Sequence, residues 1–377
     1  MPDYKIREVR SRKELMQFVR FPDELYKDCP QYVPALHSDQ VKSLTRVAPL
    51  KYCSHKLWLA LDGNKVVGRI SGMINPRYNE LYGKKRARFG WFDCIKDIEV
   101  ARLLLGTAEA WAKEQGMDEI HGPLYYNTFG KQGMLVEGYD HIPPFNCLYN
   151  FPYYNDFVQE LGYEKECDWV QYKMVANHGV PEKARRVSKV VQDRYKLHFG
   201  SIDELKKDKA RVRKFFQVYN ESFASSVMNF IPLTDEEIEE EAANVMPYLS
   251  DKISCVLLDE HDEIVAFGIS FPTISPALQK AKGKLFPFGW WYLLKSLYIK
   301  REPGVELLLV GVHPDYQNSG VNSLVFMDMF RNYSKAGVKW SETNAILETN
   351  LKNQGQFRDF EHECKKRRRS YIKKLDY

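Results

Sequence analysis

An apolar run, a turn and an amphipathic stretch follow one another between Gly304 and Phe330, and this succession limits the fold more than any other feature. Residues 305–312 are mostly Val and Leu, which predicts a buried strand too short to be an independent helix. Residues 321–330 repeat large apolar side chains near helical spacing, which predicts a helix with one buried face. A strand that enters a helix through Gln317–Gly320 directs several backbone N–H groups at one point. Such a turn either binds a phosphate-like anion or simply connects the two elements.

Length and composition exclude several classes of protein. A chain of 377 residues favours two domains, each large enough to bury its own core. The net charge of +5 is too small to indicate a nucleic-acid partner. Seven scattered cysteines without a CxxC pair predict neither a zinc site nor a disulfide framework, so we expect a cytoplasmic protein without a metal. The first residues lack the apolar core of a signal peptide, and no uncharged apolar run reaches the length of a membrane span.

A similar order of predicted elements occurs twice along the chain. The first half predicts a helix in 11–29, a hairpin in 57–71, a strand in 88–95, a helix in 98–115 and strands at 119–121 and 169–174. The second half predicts a helix in 202–222, a hairpin in 254–269, the strand and helix of 305–336, and closing strands in 341–346 and 370–375. The polar segment Asn177–Arg186 is the natural joint. We therefore expect one domain at residues 1–176 and a second at residues 187–377.

The turn itself resembles a known motif. Gln317-x-x-Gly320-x-Asn322 is similar to the pyrophosphate turn of the GCN5-related N-acetyltransferase (GNAT) superfamily, usually Gln/Arg-x-x-Gly-x-Gly/Ala, and Val312-His-Pro314 matches the strand exit before it. Asn322 departs from the family pattern: its side chain either crowds the phosphates or donates a hydrogen bond to them. The resemblance implies an α/β fold with a mixed sheet, used twice in tandem. It is nearest to a bacterial branch that includes proposed ceramide synthases.

The resemblance further implies acyl-CoA or acetyl-CoA as co-substrate, bound by the strand end, the turn and a later asparagine. These residues are Val310, Gly311, Val312, Gln317, Asn318, Ser319, Gly320, Val321, Asn322 and Asn350. A helix cap is the alternative role for Asn350. The first half carries Asp93, Asp97 and Glu99 where the turn should be, and these carboxylates would repel a pyrophosphate and complement the helix dipole instead. We therefore expect the first domain to be degenerate and the second to hold the cofactor.

Glu306 is the candidate general base. It lies eleven residues before Gln317, the offset at which the histone-acetyltransferase branch places its base. Strand alternation predicts that Glu306, Leu308 and Val310 share one face, which would bury the carboxylate; a solvated charge at the strand end is the alternative. A backbone N–H near Val310–Val312 would stabilise the oxyanion, at a place where Gly311 lets the chain open.

A second role implied by the resemblance does not transfer directly. Many members carry a tyrosine seven residues after an asparagine, as the acid that protonates the leaving thiol. Here Asn350 is followed at that distance by Phe357, which has no proton to donate. The departing thiolate would be protonated by Tyr371, by a water molecule, or by no group at all.

Two aromatic segments bear on the substrate. Gly122–Asn150 is a long loop rich in Tyr and Phe, and loops of this length in compact domains are usually functional or disordered. Leu285–Tyr298 is the most hydrophobic aromatic stretch and predicts core packing, an acyl-chain pocket or a membrane-interface face. The basic run Lys365–Arg369 is either a solvated end or a contact for anionic lipid head groups.

Together these features favour an acyl-CoA-dependent N-acyltransferase that uses a small-molecule or lipid-like amine acceptor, a long-chain acyl donor and no metal. The protein would be cytoplasmic, with peripheral contact at the inner membrane face as an open alternative, and its oligomeric state is open. Two other functions remain. Asn322 and Phe357 fit a non-catalytic protein that binds CoA or another ligand. An aminoacyl-tRNA-dependent transferase also duplicates this fold, but the modest charge and the intact turn speak against it.

Overall fold

The structure is a computed structural model that describes residues 3–180, 182–224, 227, 229–357 and 360–376. The strands are β1 (Tyr4–Glu8), β2 (Ser54–Asp62), β3 (Lys65–Ile74), β4 (Arg86–Cys94), β5 (Glu119–Gly122), β6 (Met134–Glu137), β7 (Glu164–Val175), β8 (His198–Phe199), β9 (Cys255–Leu258), β10 (Ile264–Pro272), β11 (Gly304–Val312), β12 (Trp340–Thr343), β13 (Ile346–Leu347) and β14 (His362–Lys374). The helices are α1 (Arg12–Leu25), α2 (His37–Thr45), α3 (Pro76–Tyr82), α4 (Ile98–Glu114), α5 (Tyr153–Glu160), α6 (Glu182–Tyr195), α7 (Ile202–Leu205), α8 (Lys209–Ala224), α9 (Asp235–Val245), α10 (Ser275–Ala281), α11 (Gly289–Leu294), α12 (Val321–Lys335) and α13 (Leu351–Gly355).

The first compact unit contains residues 1–169, 274–299 and 366–377. Its sheet runs β1-β2-β3-β4-β5-β14, with β4 and β5 parallel and the other neighbours antiparallel. The predicted hairpin is β2 and β3, which turn at Gly63-Asn64 with Gly63 in the left-handed region (φ 57°). Helix α4 buries Val100, Leu104 and Ala108 in the core of this unit, as its helical spacing requires.

The second unit contains residues 170–273 and 300–365. Its sheet runs β7-β12-β11-β10-β9-β8, with β11 and β12 parallel and the other neighbours antiparallel. The strand and helix predicted around the turn are confirmed as β11 and α12. Helix α12 buries Leu324, Val325 and Met329 in the core of the unit. Both units therefore combine an antiparallel meander, a crossover helix and one parallel strand pair, and the α/β architecture is used twice.

The two units differ from the domains predicted at 1–176 and 187–377. Segments 274–299 and 366–377 belong to the first unit, although both follow the predicted joint. The reason is strand pairing: Tyr371 to Lys374 pair antiparallel with Gly122 to Glu119, so the last strand completes the sheet of the first unit. Within the joint 177–186, Pro181 lies outside the described residues and α6 begins at Glu182. The helix predicted over 202–222 is two helices, α7 and α8.

The described residues lack two features. No group of three or more His, Cys, Asp or Glu side chains there is arranged to hold a metal ion. None of the described helices combines the length and the apolar character that crossing a bilayer requires.

Candidate functional site

A β-bulge on β11 opens the sheet of the second unit next to β12. Strand β10 pairs residue by residue with β11 down to Ile269 opposite Leu309, but Ser270 then pairs with Leu307, so Leu308 is an extra residue. The parallel pairing of β11 with β12 ends at Leu307. Just beyond, the backbone N–H of Asn344 donates to the Leu307 carbonyl (2.8 Å). In the described part of the chain, β11 has no strand partner on the β12 side after this point.

The open edge presents backbone N–H groups. The N–H of His313 donates to the Val265 carbonyl, on the β10 side of β11 (2.8 Å). Successive N–H groups of a strand point to opposite edges, so those of Val312 and Val310 point to the open edge. Both are among the predicted cofactor contacts. Gly311 has a different role from the predicted one: a Cβ there would lie 2.4 Å from the Phe267 ring, so this glycine makes room for a neighbour, and the opening begins at Leu308.

Glu306 is buried, with 2 % of its surface exposed, so the solvated alternative is wrong. The prediction that it shares a face with Val310 is wrong as well. Val305 and Leu307 lie in the core beside α12, and Val310 packs against that same core. The extra residue in the bulge shifts the alternation by one position, and Glu306 therefore lies on the opposite face.

The carboxylate of Glu306 has a second carboxylate as its neighbour. Glu306 is opposite Phe271 on β10 and opposite Glu342 on β12, and Glu342 is in turn opposite Lys173 on β7. Paired residues of adjacent strands project from the same face, so these four side chains form a row across the sheet. Glu342 is also buried. The sequence reading missed Glu342, although aligning the predicted strands 305–312 and 341–346 as parallel neighbours would have brought it beside Glu306.

In the turn after β11, every second backbone N–H group lacks an acceptor among the described residues. The N–H groups of Gln317 and Ser319 donate to carbonyls within the turn, and that of Val321 donates to the Ser319 hydroxyl. The N–H groups of Asn318, Gly320 and Asn322 have no acceptor among the described residues. Gly320 is in the left-handed region (φ 87°) at the N-cap of α12, which lets this turn enter the helix directly. Three N–H groups at a helix N-terminus fit a pyrophosphate.

Side chains around the turn are arranged differently from the simple motif. The Gln317 side-chain amide donates to the Val312 carbonyl (3.2 Å), so it holds the turn together. The Asn322 side chain is half-buried and makes no hydrogen bond with any described residue, which leaves its amide available. Lys352 donates to the Asn318 side chain (3.1 Å) and adds a positive charge beside the turn. Asn350 caps α13 by accepting from the Asn353 N–H (3.0 Å), the alternative role weighed for it.

Phe357, at the position where the family carries a tyrosine, and Tyr371, the predicted proton donor, are both core residues. Phe357 is a core residue of the second unit, with its ring against Tyr172 and Phe326. Tyr371 belongs to the core of the first unit, where its hydroxyl donates to Asn155 (2.9 Å). Burial raises the pKa of Tyr371. A buried phenol that is already hydrogen-bonded inside another core has a structural role.

The first unit has a similar bulge, but it lacks the glutamate and the anion-binding turn of the second unit. Arg69 pairs with Asp93 and Ser71 with Gly90, so β4 also carries an extra residue, and Trp91 there has φ 43°. Strand β4 carries no glutamate, and its one carboxylate, Asp93, pairs with Arg69 (2.7 Å). At the start of α4, Asp97 accepts hydrogen bonds from the Glu99 N–H (2.9 Å) and from the Tyr4 hydroxyl (2.8 Å). A carboxylate thus occupies the place where an anion would bind.

Two known proteins are similar to this chain in sequence. No protein-family model matches the chain. It is 29% identical to protein YghO of Escherichia coli K12, over 98% of this chain and 95% of that protein. It is 28% identical to a bacterial ceramide synthase of Caulobacter vibrioides, over 84% of this chain and 82% of that protein.

Solved structures give the same picture of the fold. A tandem GNAT protein from the clavulanic acid biosynthesis pathway superposes with a TM-score of 0.57 at 12% identity, over 100% of this chain and 99% of that chain. A GCN5-related N-acetyltransferase from Sphaerobacter thermophilus superposes with a TM-score of 0.54 at 10% identity, over 100% and 98%. The resemblance read from the turn is thereby confirmed, and the chain has the tandem GCN5-related N-acetyltransferase fold.

Proposed function

We propose that this protein is an N-acyltransferase that moves an acyl group from acyl-CoA to an amine acceptor. One observation carries the proposal: a single unit combines an open strand edge, a buried glutamate on that strand and a helix N-terminus with three N–H groups lacking acceptors among the described residues. The fold and the relative named a bacterial ceramide synthase support an N-acyltransferase in general.

The residues of the second unit have separate tasks in this reaction. The N–H groups of Asn318, Gly320 and Asn322 would hold the pyrophosphate, and those of Val310 and Val312 would bind the pantetheine and the thioester carbonyl oxygen. The amine nitrogen forms a bond to the carbonyl carbon while the carbon–sulfur bond breaks. Glu306 takes the proton lost by the amine, and a water molecule protonates the departing thiolate, since Phe357 has no proton to give.

The path of that proton includes water. Glu306 and Val310 pair with Phe271 and Gly268, which are three residues apart on β10 because Leu308 is an extra residue in β11. A strand advances about 3.3 Å per residue, so the two positions lie roughly 10 Å apart along the sheet. This distance exceeds a direct hydrogen bond to an amine placed at the open edge. A chain of ordered water molecules between the amine and the carboxylate would bridge it.

The proposed acceptor is lipid-like and the proposed donor is a long-chain acyl-CoA, with peripheral contact at the inner membrane face. The aromatic segments 122–150 and 285–298 and the relative named a ceramide synthase support this choice.

A non-catalytic ligand-binding protein is the second candidate, favoured by Phe357. Formation of free CoA that depends on an added amine would support the enzyme and exclude the second candidate.

Gly320→Val should weaken CoA binding about tenfold or more, because a β-branched residue strains the left-handed backbone and turns the N–H groups away from the phosphates. A Cβ at Gly320 also comes within 3.2 Å of Val191. The measurement is calorimetric titration with CoA. Gly337→Val is the matched control, since Gly337 follows the other end of α12, is also left-handed (φ 72°) and has nothing within 4 Å of its Cβ position. Equal CoA affinity in both variants would remove the anion site from the proposal.

Turnover should rise steeply with acyl-chain length. Each methylene moved from water to an apolar surface contributes about 0.8 kcal/mol, so a palmitoyl chain could gain on the order of 10 kcal/mol over acetyl before entropy is subtracted. The measurement is kcat/KM for a series of acyl-CoA lengths with one amine. If acetyl-CoA and palmitoyl-CoA react equally well with a water-soluble amine, the long-chain part of the proposal is wrong.

A further inference from the structure

One short segment of the first unit exposes an unusual number of aromatic side chains. We define residues 286–299 as the aromatic face. Half of all the exposed large hydrophobic side chains in the described part of the chain lie here, with exposed fractions from 38% to 78%. They include Phe286, Phe288, Trp290, Trp291 and Tyr298. Core packing, one of the readings of the sequence, is therefore wrong for most of this stretch, and an exposed patch of this kind marks a binding surface.

The segment that carries the aromatic face has charged side chains of one sign only. No Asp or Glu occurs between Ile274 and Ile299, whereas Lys280, Lys282, Lys284 and Lys295 are all present. All four of these lysines are exposed. The surface is thus apolar and cationic together.

The aromatic face is held in place by the helix before it. Helix α10 buries Ala277 and Leu278 in the first unit. The Gln279 side chain donates to the Pro30 carbonyl (2.8 Å), and the His37 N–H donates to the Gly283 carbonyl (2.9 Å). Beyond this anchor, Gly289 lies so close to the Lys284 carbonyl that a Cβ would come within 1.8 Å of it. The exposed rings therefore project from a compact, anchored turn.

We infer that the aromatic face binds the interfacial layer of an anionic lipid bilayer. Trp and Tyr favour the boundary between head groups and acyl chains, and lysines beside them gain from anionic head groups. The Trp290 indole N–H already donates to the Pro287 carbonyl (2.9 Å), so this ring can enter an apolar layer without an unsatisfied donor. Protein partners fit less well, because lysine is depleted in protein interfaces. The inference names the membrane surface that the proposed lipid chemistry would use.

Intrinsic fluorescence tests this directly. The protein has seven tryptophans, of which Trp58, Trp91, Trp111 and Trp169 are buried and Trp340 is half-buried, so only Trp290 and Trp291 are exposed. Vesicles of phosphatidylethanolamine and phosphatidylglycerol should shift the emission to the blue, and brominated acyl chains should quench it. Phosphatidylcholine vesicles should do so much less. No quenching by brominated anionic vesicles would overturn the inference, and equal quenching by neutral vesicles would overturn its electrostatic part.

Matched variants distinguish binding through the aromatic face from non-specific binding by other exposed hydrophobic side chains. Phe286→Ser with Phe288→Ser keeps both reporter tryptophans and should lower vesicle partitioning about tenfold or more. Leu81→Ser with Leu351→Ser removes two exposed leucines elsewhere and should leave it unchanged. If the phenylalanine variant instead abolishes a dimer seen by light scattering while vesicles do not bind, the face joins two copies of this chain and the inference is wrong. The assay contains no acyl-CoA, so no acyl transfer can take place in it, and its outcome is independent of whether the proposed reaction occurs.

Discussion

Glu306→Gln is expected to lower kcat by roughly 10²–10⁴-fold while CoA affinity stays as in the wild type. The substitution keeps the size and planarity of the side chain and removes its capacity to accept a proton. Glu306 is buried on β11, opposite Phe271 and Glu342, so the change replaces one carboxyl group of an enclosed row without opening a cavity. Steady-state rates with a long-chain acyl-CoA and calorimetry with CoA measure the two quantities separately.

Glu342→Gln is the matched control for this experiment. Glu342 is buried, lies directly beside Glu306 and projects from the same face. The two variants therefore differ mainly in whether the carboxyl group is removed from β11 or from β12. We expect Glu342→Gln to reduce kcat far less, because the N–H groups proposed to bind the thioester are on β11 and not on β12. A wild-type rate in Glu306→Gln would exclude its role as the base. If only Glu342→Gln lost activity, the base would lie on β12.

Local patterns account for the parts of the fold that the sequence predicted. Three predictions are confirmed: the strand and helix around the turn, the hairpin at 57–71 and the helix at 98–115. Each of these elements is determined by side chains that lie close together in the sequence. The glycine motif was informative for the same reason, since Gly320 has the positive φ that its place in the turn requires.

Pairing between distant strands accounts for the parts that the sequence missed. The bulge at Leu308 is defined by how β10 pairs with β11, which a local sequence pattern does not show. It changes which residues of β11 are on the same face of the sheet as Glu306. Gly311 is explained by the ring of Phe267, forty-four residues earlier. The last strand completes the first sheet by pairing with β5, so Tyr371 lies in a core that its sequence position did not indicate. None of these partners is visible in a local window.

A buried ion cluster in the first unit makes its stability depend on pH. The Glu166 side chain is 5% exposed, accepts hydrogen bonds from His121 Nδ1 (3.0 Å) and the Ser370 hydroxyl (2.8 Å), and pairs with Arg86 (3.1 Å). Burial alone would raise the pKa of Glu166, but the hydrogen bond and charge of His121, then Ser370 and Arg86, bring it below its ordinary value of 4.5. The folded protein thus holds this proton more weakly than the unfolded chain. The stability that Glu166 contributes is complete above that ordinary value and is lost as the pH falls through the lowered pKa.

Glu166→Ala should therefore lower the free energy of unfolding at neutral pH by about 3–5 kcal/mol, the usual loss when one partner of a buried ion pair is removed. His121 and Ser370 lose this acceptor, while Arg86 keeps its ion pair with Glu119 (2.5 Å). The difference between wild type and variant should shrink at acidic pH, because the wild-type carboxyl is then protonated. Urea denaturation followed by fluorescence at neutral and acidic pH measures both effects. Glu164→Ala, which removes an exposed carboxylate from the same strand, should change the unfolding free energy by less than about 0.5 kcal/mol. A Glu166→Ala loss that is small, or that stays constant as the pH falls, would mean that the charge of Glu166 does not stabilise the first unit.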